Sequence, residues 1–107
     1  MSEAGIIERL FAVIAARRGT PPDQSYTAGL LAKDVDEVAR KLGEEAVETM
    51  IAAVREPREA AVRESADLLY HLLVLWARLG ITPEDVAAEL KRREGTSGHE
   101  EKRSRGK

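Results

Sequence analysis

Apolar residues recur at the three- and four-residue spacing of an α-helix in four stretches of the chain. The first predicted helix covers residues 3–18, the second 35–54, the third 57–79 and the fourth 83–93. Gly19, Pro21 and Pro22 end the first helix, and Gly80 ends the third. The sustained alternation that marks strands is missing from the sequence. The pattern therefore predicts an all-α fold, a bundle of about four main helices.

The second and third helices are predicted to form an antiparallel central hairpin, because only a short turn near Glu56 separates them. From Leu68 to Leu79 the third helix is apolar almost all round, so it should be central and buried by more than one neighbour. A chain of 107 residues removes only about two-thirds of its surface from water on folding. We therefore expect dimerisation to complete the bundle.

The chain divides into a predicted all-α domain, residues 1–94, and a polar, mobile tail, residues 95–107. Between the first two helices, Ser25 is a candidate N-cap for a short helix or turn. Asp34 and Glu37 form a capping-box variant at the start of the second long helix.

Composition narrows the function classes. The net charge is −2 and the charged residues, 34% of the chain, are interspersed, which argues against a nucleic-acid binder with a broad basic face. The lack of cysteine excludes disulfides and thiolate zinc sites. Glu3 and Glu8 interrupt the first apolar residues, unlike a secretory signal, and no window approaches the length of a membrane span. We expect a soluble cytoplasmic protein without membrane or nucleic-acid partners.

The stretch KLGEEAVETMIAAV places three acids, Glu44, Glu45 and Glu48, on a helix that should bury one face. A helical wheel puts Glu45 at the rim of the apolar stripe. In an antiparallel hairpin, residues equidistant from the turn lie at the same height, so Glu48 faces Glu64 and Glu45 faces Asp67. The four carboxylates of Glu45, Glu48, Glu64 and Asp67 are therefore predicted to converge.

Converging carboxylates need compensation, because an ionised pair about 5 Å apart repels by roughly 3 kcal/mol at an effective dielectric near 20. Either some of them are protonated or a hard divalent cation binds. Oxygen ligands favour Mg²⁺, with Mn²⁺ as the other candidate, and the Glu-x-x-His motif of ferritin-like iron sites is missing. An acidic face that is merely solvated is the alternative interpretation, and the matched register favours the metal site.

Two further side chains lie close to this cluster in the predicted register. Lys41 faces His71, one turn beyond the acids, and is a candidate phosphate contact or an ion-pair partner of Glu45. His71 follows Asp67 by four residues and can orient it as a metal ligand through a hydrogen bond, or can be a buried histidine satisfied by another neighbour. Carboxylate-held magnesium leaves positions for phosphate oxygens, so phosphoryl or pyrophosphoryl transfer is the chemistry predicted.

The segments KLGEEAVETMIAAV and ESADLLYHLLVLWARLGI closely resemble the phosphoribosyl-ATP pyrophosphohydrolases, within the wider MazG-like all-α nucleotide pyrophosphohydrolases with their EExxE and ExxD motifs. SYTAGLL and GTSGHEEKRSR extend the resemblance over nearly the whole chain. It implies Mg²⁺-dependent hydrolysis of phosphoribosyl-ATP to phosphoribosyl-AMP and pyrophosphate, the second step of histidine biosynthesis. It also implies a homodimer or larger homo-oligomer.

The resemblance also implies roles for individual residues. It makes metal ligands of Glu45, Glu48, Glu64 and Asp67, and Glu44 an additional ligand or the residue that orients the attacking water. The residues it implies for substrate binding are Ser25, Tyr26, Thr27, Lys41, Ser97, Gly98, Lys102 and Arg105. For the SYT segment, ribose or phosphate binding through hydroxyls competes with a role in capping and packing, and for the tail a plain polar segment is the alternative.

Two other functions remain open at this stage. The same acids would serve a housekeeping nucleoside triphosphate pyrophosphohydrolase acting on another nucleotide. A helical interaction module without enzymatic activity, on which the acids are surface residues, is the alternative of a different class.

Overall fold

A computed structural model describes residues 5–106, which contain helices and no strand. The helices are α1 (Ile6–Ala15), a short 3₁₀ helix (Pro22–Gln24), α2 (Tyr26–Leu31), α3 (Val35–Arg55), α4 (Arg58–Leu79), α5 (Pro83–Arg92) and α6 (Gly98–Ser104). The predicted all-α class is confirmed. Among these residues no helix combines the length and apolar character needed to cross a bilayer.

The helix starts follow from the capping residues. The Asp34 carboxylate accepts a hydrogen bond from the Glu37 backbone N–H at 3.1 Å and begins α3. The Glu37 carboxylate, which a full capping box would turn back toward residue 34, instead accepts a hydrogen bond from Arg40 at 2.9 Å. Thr82 and Asp85 form a complete capping box at the start of α5.

The α3–α4 hairpin is the main packed unit, and α4 also contacts α1 and α2. This confirms the predicted central position of α4. The buried apolar residues that form the core come from α1, α2, α3 and α4: Ile14, Leu30, Val38, Leu73, Val74 and Ala77. Packing of these core residues holds α3 and α4 together, and the acids occupy other positions on the same two helices.

Two parts of the chain differ from the predicted boundaries. The described part of the first helix is shorter than predicted and ends at Ala15, and beyond it the Arg18 guanidinium donates to the Ala77 carbonyl at 2.9 Å. Residues 3 and 4 of that prediction lie outside the described residues. No helix is predicted from the sequence within residues 95–107, yet α6 forms there with Ser97 as its N-cap. The mobility of this tail stays a prediction.

Candidate metal and active site

Three carboxylates from the two hairpin helices meet in one small volume. One oxygen each from Glu45 and Glu48 on α3 and Glu64 on α4 lie within 4.8 Å of one another. Glu45 and Glu64 are partly buried and Glu48 is exposed. The predicted facing of Glu48 and Glu64 across the hairpin agrees with this geometry. Solvent therefore reaches the group from the Glu48 side.

Thr49 connects the two helices beside this group. Its hydroxyl is 2.8 Å from the Glu45 carbonyl oxygen and 3.1 Å from the Glu64 carbonyl oxygen. The second contact crosses the hairpin and sets the height of α3 against α4. No function is predicted for Thr49 from the sequence. Its position could have indicated one, because it borders the apolar stripe and follows the candidate ligand Glu45 by four residues.

Partial burial and the neighbouring charges disfavour full ionisation of this group. Partial burial, followed by the adjacent Glu48, raises the pKa of Glu45 above its usual range, against an opposing effect of His71. Partial burial, followed by the charges of Glu48 and Asp67, raises the pKa of Glu64. Both acids therefore hold protons more tightly in the folded protein, and a bound cation would favour their ionised forms and offset the repulsion between them.

Asp67 lies beside the group but is not one of its three members. Its charge still contributes to the raised pKa of both Glu45 and Glu64. Three residues of α-helix turn by about 300°, so the Asp67 side chain leaves α4 about 60° away from the direction of Glu64. Asp67 is exposed, and its role as a metal ligand stays a prediction.

His71 bonds to Asp67 in a different way from the one predicted. Its Nδ1 donates to the backbone carbonyl of Asp67 at 2.9 Å, so the contact is with the main chain. His71 is only 6% exposed, and its Nε2 has no hydrogen-bond partner among the described residues. The predicted orienting bond to the carboxylate is therefore not present in this arrangement.

Glu44 and Lys41 lie on the solvent side of α3. Glu44 is ion-paired with Arg40, and with Lys41 at 3.6 Å, instead of joining the three-carboxylate group. Lys41 therefore pairs with Glu44 and not with Glu45. Both side chains line an open groove that also contains Glu45 and Glu48. Contact of Lys41 with a phosphate stays a prediction.

The SYT segment is held in place by its own hydroxyl groups. The Ser25 hydroxyl accepts from the Ala28 backbone N–H at 2.8 Å, confirming the predicted N-cap. The Thr27 hydroxyl is hydrogen-bonded to the hydroxyl of Tyr70 on α4 at 2.5 Å, whereas Tyr26 is exposed. Two of these three hydroxyls, those of Ser25 and Thr27, already have partners within the protein. Ribose or phosphate binding through them stays a prediction.

The tail is attached to α5 through one buried carboxylate. Glu101 is only 4% exposed and is ion-paired with Arg92 at 2.6 Å, Arg105 at 3.3 Å and Arg93 at 3.8 Å. These guanidinium groups, Arg92 foremost, lower the pKa of Glu101. A substrate phosphate would therefore compete with Glu101 for the Arg105 guanidinium, and the predicted substrate contact of Arg105 stays a prediction.

The other tail residues predicted to bind substrate lie on α6 or at its start, outside the Glu101 ion pairs. Ser97 caps α6 by accepting from the Glu100 backbone N–H at 3.1 Å, and Gly98 is the first residue of that helix. Lys102 is exposed on its last turn. Substrate contacts by these residues stay predictions.

Comparison with known proteins identifies relatives over nearly the whole chain. A family model described as phosphoribosyl-ATP pyrophosphohydrolase matches residues 7–94. A phosphoribosyl-ATP pyrophosphatase from Paramagnetospirillum magneticum is 57% identical over 98% of this chain and 96% of its own length. One from Parvibaculum lavamentivorans is 59% identical over the same shares. One from Gluconobacter oxydans is 51% identical over 95% of this chain and 77% of its own length.

The family match and the geometry concern the same part of the molecule. Residues 7–94 include both helices of the hairpin and all three grouped carboxylates, Glu45, Glu48 and Glu64. Identity above half over almost the full chain extends the likeness to α6. On these grounds the chain belongs to the phosphoribosyl-ATP pyrophosphohydrolase family.

Proposed function

We propose that this protein hydrolyses phosphoribosyl-ATP to phosphoribosyl-AMP and pyrophosphate with Mg²⁺, as the second step of histidine biosynthesis. The observation that carries the proposal is the group of three carboxylates contributed by two helices within 4.8 Å. Membership of the family and the names of the relatives support the choice of substrate. A cytoplasmic location belongs to the same proposal and rests on the sequence expectation alone.

The residues present fit a small hard cation. Oxygen ligands of one Mg²⁺ lie about 2.1 Å from the ion, hence at most about 4.2 Å from each other. Oxygens of Glu45, Glu48 and Glu64 within 4.8 Å need only small side-chain rotations to meet this limit. The donor set is oxygen only, which suits Mg²⁺ and Mn²⁺ better than zinc or iron. We propose these three acids as ligands, with Asp67 joining them.

Each residue has a role that follows from its position. Mg²⁺, when bound, neutralises phosphate charge, stabilises the departing pyrophosphate and lowers the pKa of a water ligand. Glu45 and Glu64 would hold it from the two helices of the hairpin, and Glu48 would hold it from the side open to solvent. Glu44 lines the same groove and can orient the attacking water after releasing its two cation partners, Arg40 and Lys41. Lys41 is then free to bind a phosphate oxygen.

A comparison of substrates tests the proposal. Purified protein should release pyrophosphate from phosphoribosyl-ATP in the presence of Mg²⁺, and excess EDTA should abolish the release. The same assay with ATP, GTP, dCTP and dUTP measures the preference for the phosphoribosyl nucleotide. Faster turnover of one of these nucleotides would instead assign a housekeeping pyrophosphohydrolase activity, and turnover in EDTA would contradict the metal site.

We also propose that the protein is a homodimer joined through α3. Among the described helices α3 packs substantially only on α4, and an apolar ridge of Val47, Met50, Ile51 and Val54 is left exposed, with Met50 59% and Val54 75% accessible. These positions lie on one face of the helix, and a second copy would cover them.

Light scattering after size exclusion should give twice the chain mass, and Met50→Glu should give the monomer. A monomeric unmutated protein would contradict the dimer.

A further inference from the structure

An exposed aromatic pair lies on the α2 side of the hairpin. Tyr26, the first residue of α2, is 62% exposed, and its ring stacks on that of Tyr70 with centroids 6.3 Å apart and planes 22° from parallel. Tyrosine rings left this open while already stacked on one face have a second face available for a planar ligand.

The ring on which Tyr26 stacks is held by two further contacts. The Tyr70 hydroxyl is bonded to Thr27, and the Tyr70 ring meets the His71 ring edge-on, with centroids 5.1 Å apart and planes at 89°. His71 is itself buried and bonded to the Asp67 carbonyl. A continuous series of contacts therefore runs from the Asp67 backbone, beside the acidic group, to Tyr26. A surface fixed in this way loses little conformational entropy on binding a ligand.

The surroundings of Tyr26 suit a flat ring with polar edges. It borders a shallow pocket of about 250 Å³ whose lining includes Pro22, Gly29, Leu30 and Lys33. Pro22, Gly29 and Leu30 supply apolar and backbone surface, and Ser25 and Lys33 supply polar groups. Base stacking on an aromatic side chain is a common way for proteins to bind nucleotides.

We infer that Tyr26, supported by Tyr70, is the platform on which the purine base of the substrate stacks, through its ring and not its hydroxyl. This inference rests on the proposed function, because it requires a substrate that carries a purine. The phosphate end is bound at the acids, and Tyr70 follows Asp67 by three residues, about 4.5 Å along the axis of α4. The base and the phosphates are thus bound by different residues, and α4 links the two regions.

Substitution of Tyr26 tests the platform. Tyr26→Ala should raise the KM for phosphoribosyl-ATP by about 10-fold, the range expected for loss of one stacked base, with kcat changed far less. Tyr26→Phe keeps the ring and should restore most of the lost affinity. Inorganic tripolyphosphate, which has no base, should inhibit the unmutated protein and Tyr26→Ala with the same inhibition constant.

Each contrary result has a defined meaning. An unchanged KM in Tyr26→Ala, a Phe variant as weak as the Ala variant, or a parallel loss of tripolyphosphate inhibition would overturn the platform. If the unmutated protein does not turn over phosphoribosyl-ATP, the proposed function fails, and the platform is tested by binding alone. In a Trp76→Phe, Tyr26→Trp variant, AMP should quench tryptophan fluorescence and ribose 5-phosphate should not. Equal effects of the two ligands would refute stacking.

Discussion

Glu48→Gln is expected to lower kcat/KM for phosphoribosyl-ATP by on the order of 10³-fold, because loss of a metal ligand removes several kcal/mol of charge stabilisation from the transition state. The same change should raise the melting temperature of the metal-free protein. Glu48 contributes to the raised pKa of Glu45 and Glu64, and a neutral amide removes that repulsion. Pyrophosphate release at saturating Mg²⁺ and thermal melting in EDTA measure the two effects.

The opposite signs of these two effects separate a ligand from a structural residue. A residue needed only for folding would lose activity and stability together. Glu37→Gln is the matched control, since Glu37 lies on the same helix and is paired with Arg40 on the surface. It should keep full activity. Near-normal turnover by Glu48→Gln, or loss of its helical circular dichroism, would contradict the assignment.

The hairpin could be predicted from the sequence because its signals are local. Proline and glycine mark the ends of α4, Asp34 marks the start of α3, and the short turn leaves one antiparallel register. The contact of the Thr49 hydroxyl with the Glu64 carbonyl agrees with that register to within one residue. The pairing of Glu48 with Glu64 followed from the register alone.

The positions of Asp67 and Glu44 needed the structure. Equal height across a hairpin does not fix the direction in which a side chain leaves its helix, so Asp67 lies beside the group of three acids. Glu44 has two cations within reach on its own helix, Arg40 and Lys41, and a sequence does not rank such pairs against a shared metal.

The helix in the tail had no apolar periodicity to reveal it. Its contact with the rest of the chain depends on Glu101 meeting Arg92 and Arg93 of the α5 end, a tertiary arrangement of charges. Similarly, the ring of Tyr26 stacks on that of Tyr70, and the hydrogen bond between Thr27 and Tyr70 joins residues 43 positions apart. Contacts of this separation are not visible as spacing along the chain.

Mg²⁺ is expected to stabilise the folded protein by preferential binding. At a concentration 100 times the dissociation constant the gain is about 2.7 kcal/mol, which for a domain of this size raises the melting temperature by roughly 10 °C or more. Glu45→Gln combined with Asp67→Asn should abolish the rise. An unmutated protein whose melting temperature does not respond to Mg²⁺ would favour the helical interaction module over the enzyme.

The rise in melting temperature caused by Mg²⁺ should depend on pH. The sign of this dependence follows from the raised pKa values of Glu45 and Glu64. In the window between the ordinary pKa of 4.5 and these raised values, the folded protein binds more protons than the unfolded chain. The contribution of these groups to metal-free stability is therefore present at low pH and is lost as pH rises through the window.

Protons compete with Mg²⁺ for the carboxylates, so the metal-induced rise should be larger at about pH 7.5 than at about pH 5.5. Glu37 and Glu101, whose pKa values are lowered by arginines, lose their contribution only below that range. A rise that grows on acidification would mean that Mg²⁺ binds somewhere other than these acids.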